Sequence, residues 1–488
     1  MPDTFVRDPV LAGTAHPMRL LPAFLLLIPS FASAQTQWTL TQCLARAEEK
    51  NIDVLNAGLD AALADKNKDR TYWDLAPDLN AGATHGYNFG RVIDRYTNTF
   101  ATDRVQSDNF YLSSQVVLFQ GLSKQNTIKQ AGVDADAAAK GLEAARNNVR
   151  VTVVQAFLDV LGLRERVVAA KAQATNSREQ ITLTTALVEG GRLARAELLS
   201  LEAQLAQDEY NVTNFENQRD QRMLALGNTL QLEAAEMATF DIQAPELSAS
   251  LIIAPSASTD EVLANVLNAN PSYAQVHLQA QSAERSIAIA RAGSLPALAL
   301  NGSLGTGYSG RNFRAVGEPV LEAPILIGST AGGEFVYSPN FSYNTELVSF
   351  GDQLDENLNR SFSFSLSVPI FNNMRNRYAV DQARVRHEQA KNRVVSLRND
   401  LQRNVLDALV QQRSAHRQYL AAAKAVDAGQ LSLEYAQERF AQGVITSLEL
   451  NTAKTNVNRS TADLINAKYQ YLMASKYLDI LQGVPVTL

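Results

Sequence analysis

Short runs of strict alternation and long runs of three-and-four spacing dominate this chain. Ser361-Phe-Ser-Phe-Ser-Leu-Ser-Val368 alternates hydroxyl and apolar residues without a slip. Phe362, Phe364, Leu366 and Val368 therefore share one face of a strand, and Ser361, Ser363, Ser365 and Ser367 the other. Phe110, Leu112, Val116 and Leu118 share a face opposite Tyr111, Ser113, Gln115 and Val117, a less clean separation. Leu298, Leu300 and Leu304 alternate with Ala299, Asn301 and Ser303; Leu79, Ala81 and Ala83 alternate with Asp78, Asn80 and Gly82. The patterns predict strands near 78–90, 107–119, 297–308 and 360–371. One polar and one apolar face fits a membrane barrel with a wet lumen. It fits equally a soluble antiparallel sheet with one solvated face.

The longer period belongs to helices. From Ser123 to Val188 there is no proline, and glycine stands only at 132, 141 and 162. A helix of ~66 residues would be ~100 Å long. Leu142, Ala145, Val149, Val153, Ala156, Val160, Leu163 and Val167 trace the seam of a left-handed coiled coil. Moved by 252 residues, the seam reads Val394, Leu397, Leu401, Val405, Ala408, Gln412, Ala415 and Tyr419, broken only at Gln412. Returning helices carry Leu198, Leu201, Leu205 and Val212, matched by Leu450, Ala453, Val457 and Leu464. Shorter helices are expected over 42–51, capped by Thr41, over 53–73, and over 261–269, capped by Asp260. Asn270-Pro271 opens another, with proline at its favoured first position.

The chain is duplicated. Val116-Val-Leu-Phe119, closing one strand, has its counterpart in Val368-Pro-Ile-Phe371, and Gly191…Glu197-Leu198 in Gly443…Glu449-Leu450. The offsets agree, 371 − 119 = 252 and 443 − 191 = 252, and such constancy signals repetition. The expected organisation is a first repeat over 35–230, a linker or small peripheral element over 231–259, and a second repeat over 260–488. Helical tips lie near 188–194 and 441–447. Pro77 to Phe119 spans 42 residues and Pro296 to Phe371 spans 75. The extra 33 residues fall around 308–358, rich in glycine, serine, asparagine and aromatics, and predict a long loop.

Composition narrows the function. A net charge of −6 gives no reason to expect nucleic acid. With one cysteine, Cys43, no intrachain disulfide or cysteine-based metal cluster is possible. Met18-Arg19, the apolar run Leu20 to Phe31 and the small-x-small site Ala32-Ser-Ala34 read as an export signal cleaved before Gln35, with 1–17 an upstream extension. No other segment reaches ~18 apolar residues, so no transmembrane helix is expected in the mature chain, which leaves a β-barrel open. Gly305-Thr-Gly307-Tyr-Ser-Gly310 matches a dinucleotide fingerprint but opens no helix, which phosphate binding requires. No reactive constellation or cofactor motif is present, and no enzyme activity is expected. Tyr87, Phe89, Tyr308, Phe313, Tyr337, Phe341 and Tyr343 are candidate rim anchors at a lipid interface.

Taken in order, the set resembles the TolC-like outer-membrane efflux proteins, over essentially residues 35–488. It comprises the duplicated helix–helix–strand–strand–long helix–tip–helix, Asn270-Pro271, Pro77 and Pro296 at helix-to-strand junctions, Val368-Pro-Ile-Phe371, and the two glycine tips. The resemblance implies a mixed, mainly helical fold. Each chain gives four strands to a twelve-stranded barrel in a homotrimer, continuous with a long periplasmic helical coiled-coil tube. It implies an exit duct for a tripartite efflux or secretion system: a passive conduit in the outer membrane, gated at its tips and without cofactors. Partners would be a periplasmic adaptor, an inner-membrane transporter and outer-membrane lipid. Glu449 falls where some members place a carboxylate ring, with Glu197 a second candidate; Thr452 stands where a further acid would complete it. Gly191, Arg192, Leu193, Gly443, Val444 and Ile445 would meet the adaptor, and Phe362, Phe364 and Leu366 would face lipid. The competing reading is an exported structural or adhesive coiled coil without a pore, which would need no duplicated Phe/Ser alternation.

Overall fold

The computed structural model describes residues 36–102, 104–245, 252 and 258–487. The expected signal at 1–34 and part of the expected linker lie outside them. The first half runs β1 (Thr36–Trp38), α1 (Leu40–Lys50), α2 (Ile52–Trp73), β2 (Asn80–Asn88), β3 (Val92–Ile93), β4 (Phe100–Ala101), β5 (Val105–Gln120), α3 (Ser123–Glu189) and α4 (Arg195–Thr229). α5 (Ala234–Thr239) and β6 (Phe240–Ile242) follow, and β6 pairs parallel with β1. The second half runs α6 (Thr259–Ala269), α7 (Pro271–Ala292), β7 (Ala297–Ser309), β8 (Phe313–Ser329), β9 (Phe335–Leu347), α8 (Phe350–Glu356), β10 (Asn359–Ser367), α9 (Arg375–Ala441) and α10 (Ser447–Leu481). The fold is mainly helical with some strands.

The helices pair by length. α1 and α6 have 11 residues, α2 and α7 22, α3 and α9 67, and α4 and α10 35. Left-handed backbone recurs at matched places. Gly121 and Leu122 (φ 57° and 62°) open the turn into α3, as Asn373 and Met374 (φ 52° and 60°) open the turn into α9. An L side chain at positive φ is strained, so Leu122 and Met374 are held there by the strand-to-helix turn.

Local expectations shift at the caps. Thr39, not Thr41, caps α1 in a reciprocal box with Gln42, which satisfies two backbone donors at once. Ser258, not Asp260, caps α6, its hydroxyl accepting from the Glu261 amide at 3.2 Å. Asn270 caps α7 ahead of Pro271. β10 stops at Ser367 rather than 371, because Pro369 has no amide to continue the ladder. The expected long loop is instead an antiparallel ribbon, β8 with β9, followed by α8. Three register shifts interrupt its period of two, so the sequence shows no alternation there.

The main sheet is antiparallel in the order β10-β7-β5-β2. Its register confirms two chemically distinct faces. Ser113, Ser303 and Ser361 align on one, with Gln115, Asn301 and Ser363 beside them. Val116, Leu300 and Phe364 align on the other. A bulge at Leu118, between Val117 and Phe119, puts Phe119 rather than Leu118 opposite Leu298 on the apolar face.

The largest core gathers where α1, α3, α4 and α10 meet the β1–β6 pair, around Cys43, Val153, Phe157 and Leu230. Val149, Val153, Val160 and Val167 of the seam are buried, and so are Phe157, Leu158 and Leu161, because α3 packs on several helices rather than one. Gln412, the break in the second seam, donates to Ser475 Oγ at 2.8 Å. Among the described residues, no helix is long and apolar enough to cross a membrane.

Candidate functional site

Two regions carry candidate chemistry: the helical tips and the sheet. Each tip is closed by a glycine in left-handed conformation, Gly191 (φ 70°) and Gly443 (φ 73°). The reason is local. Arg192 N–H reaches Leu187 O, and Val444 N–H reaches Arg439 O, both at 2.9 Å, closing the last helical turn around the left-handed residue. Nothing lies within 4 Å of a side chain built at either glycine, so backbone conformation, not crowding, selects it.

Around this turn the expected partner-contacting residues divide. Gly191, Arg192, Gly443 and Val444 are exposed, and Leu193 is half-buried. Ile445, expected at the contact surface, is 8% exposed and packs inward with Leu201, Phe440 and Leu450. Leu448 and Leu199 stand exposed at the same tips, and the seam pattern did not single them out.

The two acids also divide. Glu449 is exposed in the first turn of α10, which Thr446 caps through the Glu449 amide. Glu197 is half-buried, and its Oε2 accepts from the Ser447 amide at 2.8 Å. A carboxylate at the first turn of a neighbouring helix meets the positive end of that helix dipole. Glu197 thereby ties the α3–α4 hairpin to the α9–α10 hairpin.

Above the tips lies a polar cluster that sequence reasoning missed. Asp208 accepts from Ser177 Oγ at 2.7 Å, Gln204 Nε2 at 2.9 Å and Gln173 Nε2 at 3.4 Å. Lys454 is 1% exposed, and its ammonium has no hydrogen-bond partner among the described residues. Burial pushes its pKa below the usual lysine range, and the charge of Asp208 opposes this. Cys43 is fully buried, and burial pushes its thiol up to about 12, so it offers no thiolate near neutral pH.

The sheet is open. Among the described residues β10 and β2 each pair on one side only. Phe362, Phe364 and Leu366 are 79%, 64% and 67% exposed in the single chain. On the opposite face Ser303 and Ser361 hydroxyls share a hydrogen bond at 2.7 Å, and Asn301 donates to Ser365 at 3.2 Å. Of the candidate rim aromatics, Tyr308 packs on Phe350, while Phe313, Tyr337, Phe341 and Tyr343 lie on the β8–β9 ribbon, away from the sheet.

Comparison with known proteins meets this geometry from two sides. No curated protein matches the sequence. Among solved structures, CusC superposes with a TM-score of 0.73 at 16% identity, over 96% of this chain and 99% of that one. The CmeC outer membrane channel of Campylobacter jejuni gives 0.73 at 16%, over 91% and 85%. The outer membrane protein VceC of Vibrio cholerae gives 0.73 at 15%, over 91% and 96%. At such identities the likeness shows the fold. The family described as outer membrane efflux protein matches residues 43–230 and 262–484. With most of its length inside that match, the chain belongs to the outer membrane efflux protein family: it is an outer-membrane efflux channel, an exit duct with a periplasmic helical extension.

Proposed function

We propose that three copies of the chain close a twelve-stranded barrel continuous with a tube of long helices, forming a passive conduit gated at its periplasmic tips. The observation that carries this reading is the open sheet. A bilayer offers no water to an unpaired strand edge, so β10 and β2 must find partners on other copies. The apolar face, with Phe362, Phe364 and Leu366, then meets lipid, and the serine face lines the channel. Strand count alone would allow other closures; the family resemblance selects three.

The mature chain would begin at Gln35, after cleavage behind Ala34. The repeats 35–230 and 260–488 each supply one strand pair and one tip, joined by 231–259. A periplasmic adaptor would grip Gly191, Arg192, Leu193, Gly443 and Val444, with Ile445 supporting them from the core. An inner-membrane transporter would supply the energy. Glu449 would form an axial carboxylate ring, which attracts cations, and Glu197 would hold the hairpins together.

Light scattering of detergent-extracted protein, with conductance in planar bilayers, tests the assembly. The expected result is a trimer mass with ion conduction. A stable monomer retaining full strand content would overturn it.

A further inference from the structure

The segment between β2 and β5 leaves the end of the sheet opposite the helices, and it folds back. We propose that residues 89–102 form a fixed strap on the polar face at the outer mouth, with Tyr96 the residue limiting the size of what passes there. This rests on the polar face lining the channel.

The strap is built, not draped. Asp94 N–H donates to Thr99 O, and Asn98 N–H to Asp94 O, both at 2.9 Å. Asn98 takes the left-handed turn (φ 54°). One Asp94 oxygen accepts from the amides of Tyr96 at 2.9 Å and Thr97 at 2.8 Å. The other accepts from the hydroxyl of Ser309, a residue of the second repeat. Ser309 is itself fixed: its amide donates to Gln353 Oε1 at 2.8 Å, and its carbonyl accepts from Gln353 Nε2 at 3.0 Å. Asp94, Ser309 and Gln353 are all buried. Burial works against the Asp94 charge, but the donors from Ser309, Thr97 and Tyr96 outweigh it and hold the carboxylate below its usual range.

The face follows from register. Gly307 pairs with Asn109, two steps along the same face from Gly305 and Tyr111, and four from Ser303 and Ser113. Tyr96 donates its hydroxyl to Asn109 Oδ1 at 3.1 Å. A Cβ at Gly307 would lie 1.8 Å from the Tyr96 oxygen and 2.3 Å from the Asp108 carbonyl oxygen, so the ring and the β5 backbone both stand where a side chain would. The glycines that mimic a nucleotide fingerprint therefore include one that lets Tyr96 and β5 approach together. A ring lying on the channel face, with Arg95 and Asn98 exposed beyond it, takes cross-section from the outer mouth in every copy.

Sided polymer exclusion on the full-length assembly in planar bilayers reads this directly. Polyethylene glycols of increasing size are added to the outer side or the periplasmic side. Tyr96→Ala should shift the outer-side exclusion limit to a larger polymer and leave the periplasmic-side limit unchanged. Tyr96→Phe, which keeps the ring, should match the parent. An unchanged outer limit in Tyr96→Ala, with the assembly intact, overturns the strap. Water-soluble thiol labelling of Ser363→Cys and Phe364→Cys separates this from failure of the underlying reading. If Ser363→Cys labels and the limits do not move, only the strap is wrong; if Phe364→Cys labels instead, the polar face does not line the channel.

Discussion

The helical hairpins and the main sheet both draw on each half of the chain, yet one is finished within the chain and the other is not. In the hairpins, α3 packs on α4 and α9 on α10, and half-buried Gln412 and buried Asp208 find partners inside the same copy, while the Lys454 ammonium has none among the described residues. In the sheet, two edges and the exposed Phe362, Phe364 and Leu366 of the apolar face are left without cover. Helices satisfy their backbone internally and need neighbours only for side chains, whereas a strand edge needs another strand. The difference places the demand for further copies at the sheet.

The largest effect should come from breaking the finished region at its buried charge. Asp208→Leu strands the donors of Ser177 and Gln204 and leaves the Lys454 ammonium without the nearby opposite charge. Leaving each buried donor without its acceptor costs about 1–3 kcal/mol, and more for a charged group. Thermal unfolding followed by helical circular dichroism should show a marked loss for Asp208→Leu. Lys454→Met should be neutral or stabilising, because that ammonium makes no hydrogen bond among the described residues, while Asp208 keeps its three neutral donors. Equal losses for both would mean that Lys454 has a partner in the assembly and that the hairpins too are completed by other copies.

The next test addresses the unfinished region. Phe364→Arg places a charge on the apolar face and should impair membrane insertion by about 2–4 kcal/mol near the bilayer midplane. Ser365→Arg, its neighbour on the polar face, should insert and change conductance instead. Fractionation with bilayer recording distinguishes them, and identical behaviour would erase the distinction between the faces.

How much of this was legible depended on whether a period ran uninterrupted. The 67-residue helices were visible because no proline interrupts them and their three-and-four spacing breaks only at Gln412, and the Phe/Ser strand because its alternation does not slip. The β8–β9 ribbon was hidden by three register shifts, and the end of β10 by a proline whose backbone consequence competed with an apolar pattern. Ile445 looked like surface because it follows a tip glycine, and only packing against Leu201 and Phe440 turns it inward. Asp94 meets Ser309 across 215 residues, and Asp208 on α4 and Lys454 on α10 are buried only by the packing of their helices. Pairings of that range leave no periodic trace in one sequence.

The smallest effect should separate the two tip acids, and it tests whether the tips belong with the finished region or the unfinished one. Glu197 has a partner within the chain, the Ser447 amide, whereas Glu449 is exposed in the first turn of the same helix. Glu197→Gln keeps an acceptor but loses the charge at the helix end, worth about 0.3–1 kcal/mol. It should raise the open fraction of single channels with little change in ion selectivity. Glu449→Gln should do the reverse: weaker cation selectivity and weaker block by trivalent cations, measured at low salt where screening is least. If Glu197→Gln moved selectivity and Glu449→Gln did not, the ring would belong to the first repeat. If neither moved it, Glu449 would be a solvated acid whose role ends at the start of its helix, and the gate would have to be sought in the exposed Val444 and Leu448 instead.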